Sequence, residues 1–421
     1  MINSPVGTFD LLPEEHKFWD IFQEKAKAVF GLYGYTSIQT PFFEQTELFS
    51  RGIGEDTDVV SKEMFNVLSG GNLDKLLNGE KVKNKSRFTL RPEGTAGVVR
   101  AYIQNNIIPP AKLMYAGPMF RAERPQAGRQ RQFMQVGIEC IGPKEPSVDA
   151  EAINMLARFY DEIGLRHYEL VINSMGCPTC RKQYREELVK FLDKLDLCLD
   201  CEQRKVVNPL RVLDCKNKDC QSKLEDAPKI TDYLCDECKT HYESVKEKLI
   251  LPYTEDPMLV RGLDYYTNTV FEVKFPGLDA IAGGGRYDGL VKQLGGQDTP
   301  GFGFALGYER TLLALQQLEF QFEPAKVTDC FVASVDDSTR DKAFEITQTL
   351  RDVKISAEMD HMGRSLKSQF KFADKLHSKY TVILGPDELA NNQVTVRDMK
   401  THNQDLIDLD KLTAYILNGG K

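Results

Sequence analysis

The chain has 421 residues, 41% hydrophobic and 28% charged, with a formal net charge of −8. That length is too great for one small core and predicts two to four domains of an ordinary soluble globular protein. The acidic balance argues against nonspecific coating of DNA but leaves local nucleic-acid patches open, because binding follows patches rather than net charge. No run is long enough to span a bilayer, and the opening MINSPVGTFDLLPEE lacks a basic stretch followed by an apolar one. A cytoplasmic protein without a membrane partner is expected.

In chain order, Leu11 to Leu32 carries apolar residues at Phe18, Ile21, Phe22, Ala26, Val29 and Phe30, a helical spacing with Glu14 and Glu15 near its start. Gly31 and Gly34 stop it, and Tyr35 to Pro41 reads as a short strand. Leu68 to Lys85 is polar and rich in Gly, Asn and Lys, and reads as a flexible loop. Phe88 to Arg91 predicts a strand and Gly94 to Asn105 a helix. Lys112 to Phe120 and Phe133 to Ile141 predict paired strands, turned at Pro125 and Gly128. Arg121, Arg124, Arg129 and Arg131 crowd the mouth of this hairpin. A guanidinium binds phosphate oxygens in a bidentate fork and keeps its charge, so the hairpin reads either as a polyanion site or as a solvated basic tip.

A helix is expected over about Val148 to Ile163, among strands that run to Ser174. Strand character resumes at Met258 to Phe275 and Ala280 to Gly284, and Gly307 to Leu318 is an amphipathic helix. The pattern is a mainly antiparallel sheet with helices, interrupted between Cys177 and about Tyr242. After Glu323-Pro324 short apolar runs (Val327–Val335, Ile355–Met359, Thr381–Leu384, Val394–Val396) alternate with helical stretches at about Lys342–Val353 and Ser365–His377, which predicts a separate α/β domain. Arg364, Lys367, Lys371, Lys375 and Lys379 recur every three or four residues there, so they share one face. Such a stripe fits a solvated surface or a nucleic-acid contact.

Eight of the ten cysteines fall between Cys177 and Cys238. They form close pairs: Cys177/Cys180, Cys198/Cys201, Cys215/Cys220 and Cys235/Cys238. In a reducing compartment these read as metal ligands or as buried thiols, and eight thiolates suffice for two tetrahedral zinc sites. Spacing does not say which pairs combine. No segment matches the phosphate-binding G-x-x-x-x-G-K-[ST] loop, and Gly283-Gly284-Gly285-Arg286-Tyr287-Asp288-Gly289 does not fit G-x-G-x-x-G. Any nucleotide must therefore be held by arginines on an antiparallel sheet.

With these residues assembled, the chain resembles the class II aminoacyl-tRNA synthetases, and within them the histidyl-tRNA synthetases, over essentially its full length. Three class motifs are in order: Tyr35–Phe43 centred on Pro41, the arginine hairpin, and Gly301–Arg310. Leu259-Val-Arg-Gly-Leu-Asp-Tyr-Tyr-Thr267 and Ala282–Tyr287 are similar to the stretches that select histidine. The resemblance implies an α+β fold: an antiparallel catalytic core in two parts (residues 1–174 and 251–322), a cysteine-rich insertion (175–250) and a C-terminal α/β anticodon-binding domain (327–421). It implies ATP-dependent ligation of L-histidine to tRNA(His) through a histidyl-adenylate, with MgATP as substrate, in a homodimer built through the first motif.

By the same resemblance Arg121, Arg261 and Arg310 are catalytic, with Arg121, Glu123 and Arg310 on ATP. Histidine is bound by Glu93, Thr95, Arg121, Gln135, Glu139, Arg261, Tyr265, Tyr266 and Tyr287, with Glu139 and Tyr266 on the imidazole. Gln126, Arg129 and Arg131 face the tRNA acceptor end, and Arg364, Lys367 and Lys371 the anticodon side. The alternatives are an inactive regulatory paralogue that serves ATP phosphoribosyltransferase, or a class II enzyme for another amino acid.

Overall fold

The computed structural model describes residues 2–55, 57–320 and 328–420, in two compact units, Met1–Gln321 and Phe322–Lys421. The strands of the first unit are β1 (Thr36–Ser37), β2 (Phe43–Gln45), β3 (Asn66–Val67), β4 (Phe88–Leu90), β5 (Ala111–Phe120), β6 (Gln132–Ile141), β7 (Glu169–Ser174), β8 (Tyr253–Glu255), β9 (Thr267–Lys274), β10 (Ala282–Arg286) and β11 (Gly301–Gly307). Eight of them form one sheet in the order β1-β5-β6-β11-β10-β9-β7-β8, and β2-β4-β3 form a small second one. The large sheet is antiparallel except at its edges, where β1 lies parallel to β5 and β8 to β7.

One face is covered by the helices Pro13–Leu32 and Pro146–Glu162, each opened by a proline whose missing N–H costs nothing there. Their inward aromatic residues meet edge-on: Phe22 lies 5.1 Å from Phe159, and Phe30 lies 5.8 Å from Phe304 of β11. The opposite face is left for the site. The cysteine-rich segment shares an apolar core with the large sheet: Tyr184, Leu188, Val212 and Ile230 join Val171 of β7 and Val270 of β9 in one buried cluster.

Two readings are corrected. Leu68–Lys85 is not loop throughout, because Gly70–Leu77 forms a helix with no buried residue; Leu73, Leu76 and Leu77 share one face of it, a short signal outweighed by the surrounding Gly, Asn and Lys. Met258–Tyr266 is not strand; only Thr267–Lys274 joins the ladder, and the preceding residues run along the cavity.

In the second unit, β12 (Cys330–Ser334), β13 (Ala357–Met359), β14 (Tyr380–Leu384), β15 (Gln393–Asp398) and β16 (Gln404–Asp408) form a sheet in the order β13-β12-β14-β15-β16. β12 is parallel to both neighbours, so crossovers are required, and the helices Arg340–Asp352 and Leu366–Lys375 supply them. The expected domain start at Val327 lies outside the described residues. β16 was not anticipated, since Gln404–Asp408 is polar and largely exposed. The basic stripe is also shorter than expected. Lys367, Lys371 and Lys375 are exposed on the helix. Lys379 falls beyond the helix end. Arg364 lies over the Phe372 ring and reaches Asp360 at 3.3 Å.

Candidate active site

The strand registers explain why a cavity forms here. Alternate residues of paired strands share a face, and one row across the sheet reads Tyr115, Gly137, Ala305, Gly283, Glu272. Large side chains stand at its ends and small ones in its middle. The small residues are required: a Cβ at Gly283 would meet the Arg261 guanidinium, and one at Gly137 would meet the Tyr115 ring. The resulting cavity has a volume of about 320 Å³, within the size range of small-molecule sites.

Its outer part is cationic. Arg121, Arg129 and Arg310 line it. Burial holds the Arg310 guanidinium below its usual range, and the neighbouring charges of Arg129 and Arg121 push in the same direction. Three guanidiniums gathered against mutual repulsion suit a polyanion. Each is held by the backbone or by a carboxylate. Arg310 donates to Gly128 O at 3.0 Å and Ala280 O at 2.6 Å, and Arg121 donates to Pro92 O at 3.0 Å while lying over the Phe133 ring. Arg129 bridges Glu123 at 3.2 Å and Asp279 at 2.7 Å. Arg261 pairs with Glu272 across the floor.

The inner part is acidic and aromatic. Glu93 caps the helix Thr95–Gln104, accepting the Thr95 N–H at 2.7 Å and the Ala96 N–H at 2.9 Å, which is why a carboxylate stands at this helix start. Burial raises its pKa against those bonds. Gln135, from β6, lines the cavity, and its Oε1 is buried without a partner among the described residues. Such an acceptor is costly unless a ligand's donor meets it. Tyr265 and Tyr266 complete the wall, with rings 4.7 Å apart.

Glu139 stands one hydrogen bond behind the cavity lining, through Thr95. It is fully buried behind Thr95, whose hydroxyl donates to its Oε1 at 2.7 Å, while Tyr287 donates to Oε2 at 2.6 Å. Burial raises its pKa well above the carboxylate range. Tyr287 likewise supports the wall from behind. Gln126 and Arg131 are not brought to the cavity. Gln126 closes the hairpin turn with Arg129, and Arg131 donates to Glu123 O and Val6 O. Arg286, in the glycine-rich strand, points into the core, where it pairs with the buried Asp149.

Several lining residues escaped the sequence reading: Tyr115, Glu272, Asp279, Glu309, Asp214 and Lys216. Tyr115 and Glu272 were accessible through the alternation of β5 and β9. Asp279, Asp214 and Lys216 sit in connecting segments that carry no such signal. Glu309 accepts the Met134 N–H at 2.8 Å, and burial pushes its pKa up to about 7.

The pairing of the cysteines is resolved by the fold. Cys177, Cys180, Cys235 and Cys238 form one group, and Cys198, Cys201, Cys215 and Cys220 a second, with the thiol sulfurs of each within 4.8 Å of one another. A tetrahedral zinc tetrathiolate has sulfurs about 3.8 Å apart, so both donor sets fit that ion. Backbone N–H groups point at the sulfurs, from Cys235 to Cys180 at 3.1 Å and from Cys198 to Cys220 at 3.3 Å, as suits thiolate ligands. Burial works against the Cys177 thiolate, yet the N–H groups of Cys180 and Thr179 bring that thiol down to about 7.

Comparison with known proteins agrees with this geometry. The histidyl-tRNA synthetase family model matches residues 7–311, and the anticodon binding domain model matches residues 329–419. A histidine–tRNA ligase of Halothermothrix orenii is 46% identical over 414 residues, covering 96% of each chain. One from Thermosipho melanesiensis is 47% identical over 419 residues, covering 97% of this chain and 96% of that protein. Among solved structures, the apo histidyl-tRNA synthetase of S. aureus superposes with a TM-score of 0.80 at 39% identity, covering 99% of this chain and 100% of that one. No helix among the described residues is long and apolar enough to cross a membrane. The chain belongs to the histidyl-tRNA synthetase family.

Proposed function

We propose that this chain ligates L-histidine to tRNA(His) in two steps, with histidyl-adenylate formed from histidine and MgATP as the intermediate. The observation that carries this reading is one cavity joining a cluster of arginines to a polar, aromatic inner end. In the first step a histidine carboxylate oxygen attacks the α-phosphorus of ATP and pyrophosphate leaves. Charge builds on the α-phosphate oxygens, so rate comes from positioning and electrostatic stabilisation.

Arg121 and Arg261 hold the carboxylate and α-phosphate. Arg310 and Glu123 hold the rest of the nucleotide and its magnesium. Glu93, Thr95 and the unpartnered Gln135 Oε1 receive the substrate ammonium. Tyr265 and Tyr266 flank the imidazole, while Glu139 and Tyr287 set the hydrogen-bonding polarity of that end through Thr95. A site of polar partners rejects apolar competitors, whose binding strands buried groups.

Residues 1–174 and 251–322 serve as the catalytic core, 175–250 as its insertion and 327–421 as the anticodon-binding domain. Arg129 meets the tRNA acceptor end alongside the nucleotide, with Gln126 and Arg131 shaping that turn. The exposed Lys367 and Lys371 give backbone contacts in the second unit. The apolar residues left exposed near the first motif, Leu32, Phe42, Phe43 and Ile108, suit a twofold homodimer. Each thiol group takes one structural zinc. The reaction belongs to the cytoplasm. The anticodon-binding domain match disfavours the regulatory alternative. Histidine-dependent ATP–pyrophosphate exchange, run against the other amino acids, tests the reading: absence of exchange in folded protein, or exchange with a different amino acid, overturns it.

A further inference from the structure

One side of the cavity is closed by a wall that the sheet does not supply. Asp214 and Lys216 line it, and they flank Cys215, a member of the second thiol group. A groove running from the cavity along this side carries Cys198, Arg204 and Arg211 beside Arg121, Arg261 and Arg310.

The segment grips three separate parts of the catalytic core. Arg204 and Arg211 approach the same oxygen of Asp58, at 3.2 and 3.6 Å. Asn208 donates to Asp264 at 2.8 Å, within the Leu259–Thr267 stretch. Lys216 lies 3.5 Å from Asp279 Oδ2, the oxygen that Arg129 holds at 2.7 Å and Arg310 approaches at 3.7 Å. Partly exposed pairs of this kind are weak singly and screened by salt. They aim the wall but do not fix it.

What packs it is its share of the apolar cluster that it forms with the sheet. Its helices, Leu199–Val207 and Lys218–Lys223, are short. Its buried side chains include Cys201, Cys215 and Cys220 together with Leu210, Val212 and Leu213. Three of four sulfurs in a donor set are thus buried where two short helices meet that cluster, and a metal there would tie residues 198–220 to it. The first thiol group lies by a different cavity, with Lys144, Glu237 and His241, and reaches the site only from behind, where Arg181 beside Cys180 donates to the Tyr266 carbonyl among the described residues.

We propose that the Cys198/Cys201/Cys215/Cys220 group holds a zinc ion whose occupancy sets the nucleotide end of the active site, by holding residues 211–217 against Asp279 and Arg310. This rests on reading the cavity as the MgATP site. Asp214 and Lys216 are positioning residues: they act through Arg211 and through Asp279 on the arginines.

Three readouts on the full-length protein test it: zinc per chain, amide exchange at 211–217, and the split between ATP KM and kcat. Wild type purified without chelator is expected to carry two zinc ions, one per thiol group. Cys215→Ser should carry one, lose protection at 211–217 and raise ATP KM about tenfold with a smaller change in kcat. Lys216→Met should keep both zinc ions and still raise ATP KM roughly threefold or more. If Cys215→Ser fails to fold, gentle chelation of wild type replaces it; exchange should then rise at 211–217 before it rises in β6 and β11.

Two zinc ions retained by Cys215→Ser would overturn the ligand assignment. Loss of one zinc with unchanged exchange and ATP KM, or an unchanged ATP KM in Lys216→Met, would overturn the coupling. Failure of the underlying reading appears separately, as wild type without histidine-dependent pyrophosphate exchange, while zinc content and amide exchange still decide the wall.

Discussion

The floor of the cavity keeps its shape through ladders of backbone hydrogen bonds and a row of glycine and alanine flanked by Tyr115 and Glu272, whereas the wall at Asp214 and Lys216 hangs from a loop between thiols. The floor rests on helices that bury Phe22, Phe30 and Phe159. The wall's share of the core includes three buried thiols, Cys201, Cys215 and Cys220. The first construction places guanidiniums rigidly and resists change at small residues. On the zinc proposal, the second gives a wall whose position depends on one ion. Charged groups on both serve one cavity, but different perturbations should move them.

The largest expected effect lies on the floor. Arg261→His removes a permanent cation facing the cavity and should lower single-turnover adenylation by about 10²–10³-fold, the range for losing one oriented charged donor. It also leaves Glu272 without its partner, so a stability loss of about 1–3 kcal/mol accompanies it. Near-normal single-turnover adenylation in folded protein would remove Arg261 from the chemistry.

Next is Gly303→Ala, which asks whether the floor is held by close approach. The new Cβ would collide with the Glu139 carboxylate and the Ile138 carbonyl, and neither can yield without breaking a ladder or the Thr95 and Tyr287 bonds. Overpacking of this kind costs about 1–3 kcal/mol, and uncoupling Glu139 should weaken histidine binding. A melting temperature and histidine KM equal to wild type would show that the sheet accommodates the methyl group.

Much of the sheet was legible because alternation and helical spacing report burial directly. Gln135 and Tyr266 came only through motif resemblance, and Arg121 also through its place at the hairpin mouth. What escaped has a common cause. Asp279 and Lys216 lie on connecting segments, where no period marks which side faces inward. Glu139 was read as an imidazole partner by resemblance, which does not say that Thr95 and Tyr287 already bond its two oxygens. The thiol pairing was hidden because it joins residues 55 or more positions apart in one group, Cys180 with Cys235, and the chain must fold to bring them together.

A milder perturbation addresses the wall without mutation. On the zinc proposal, chelation should open amides between 198 and 220 while β6 and β11 stay protected, because those strands keep their ladders and their aromatic packing. Simultaneous loss of protection in the segment and the sheet would mean that the two constructions are one cooperative unit.

The smallest effect concerns the floor's own electrostatic cost. Burial lifts the Glu309 carboxyl from the ordinary 4.5 to about 7, and the Met134 N–H and Arg310 offset only part of that. A group whose folded pKa is raised binds its proton more tightly when folded. Its contribution to stability is full below about pH 4.5 and is lost as pH rises through about 7. Glu309→Gln keeps an acceptor for Met134 but carries no charge, so it should escape that loss. Relative to wild type it should gain about 1–3 kcal/mol at about pH 8 and little at about pH 5. Denaturant unfolding at the two pH values measures the difference. An equal effect at both would mean that Glu309 stays ionised and solvated in the folded protein, and that the floor carries its charge at no cost.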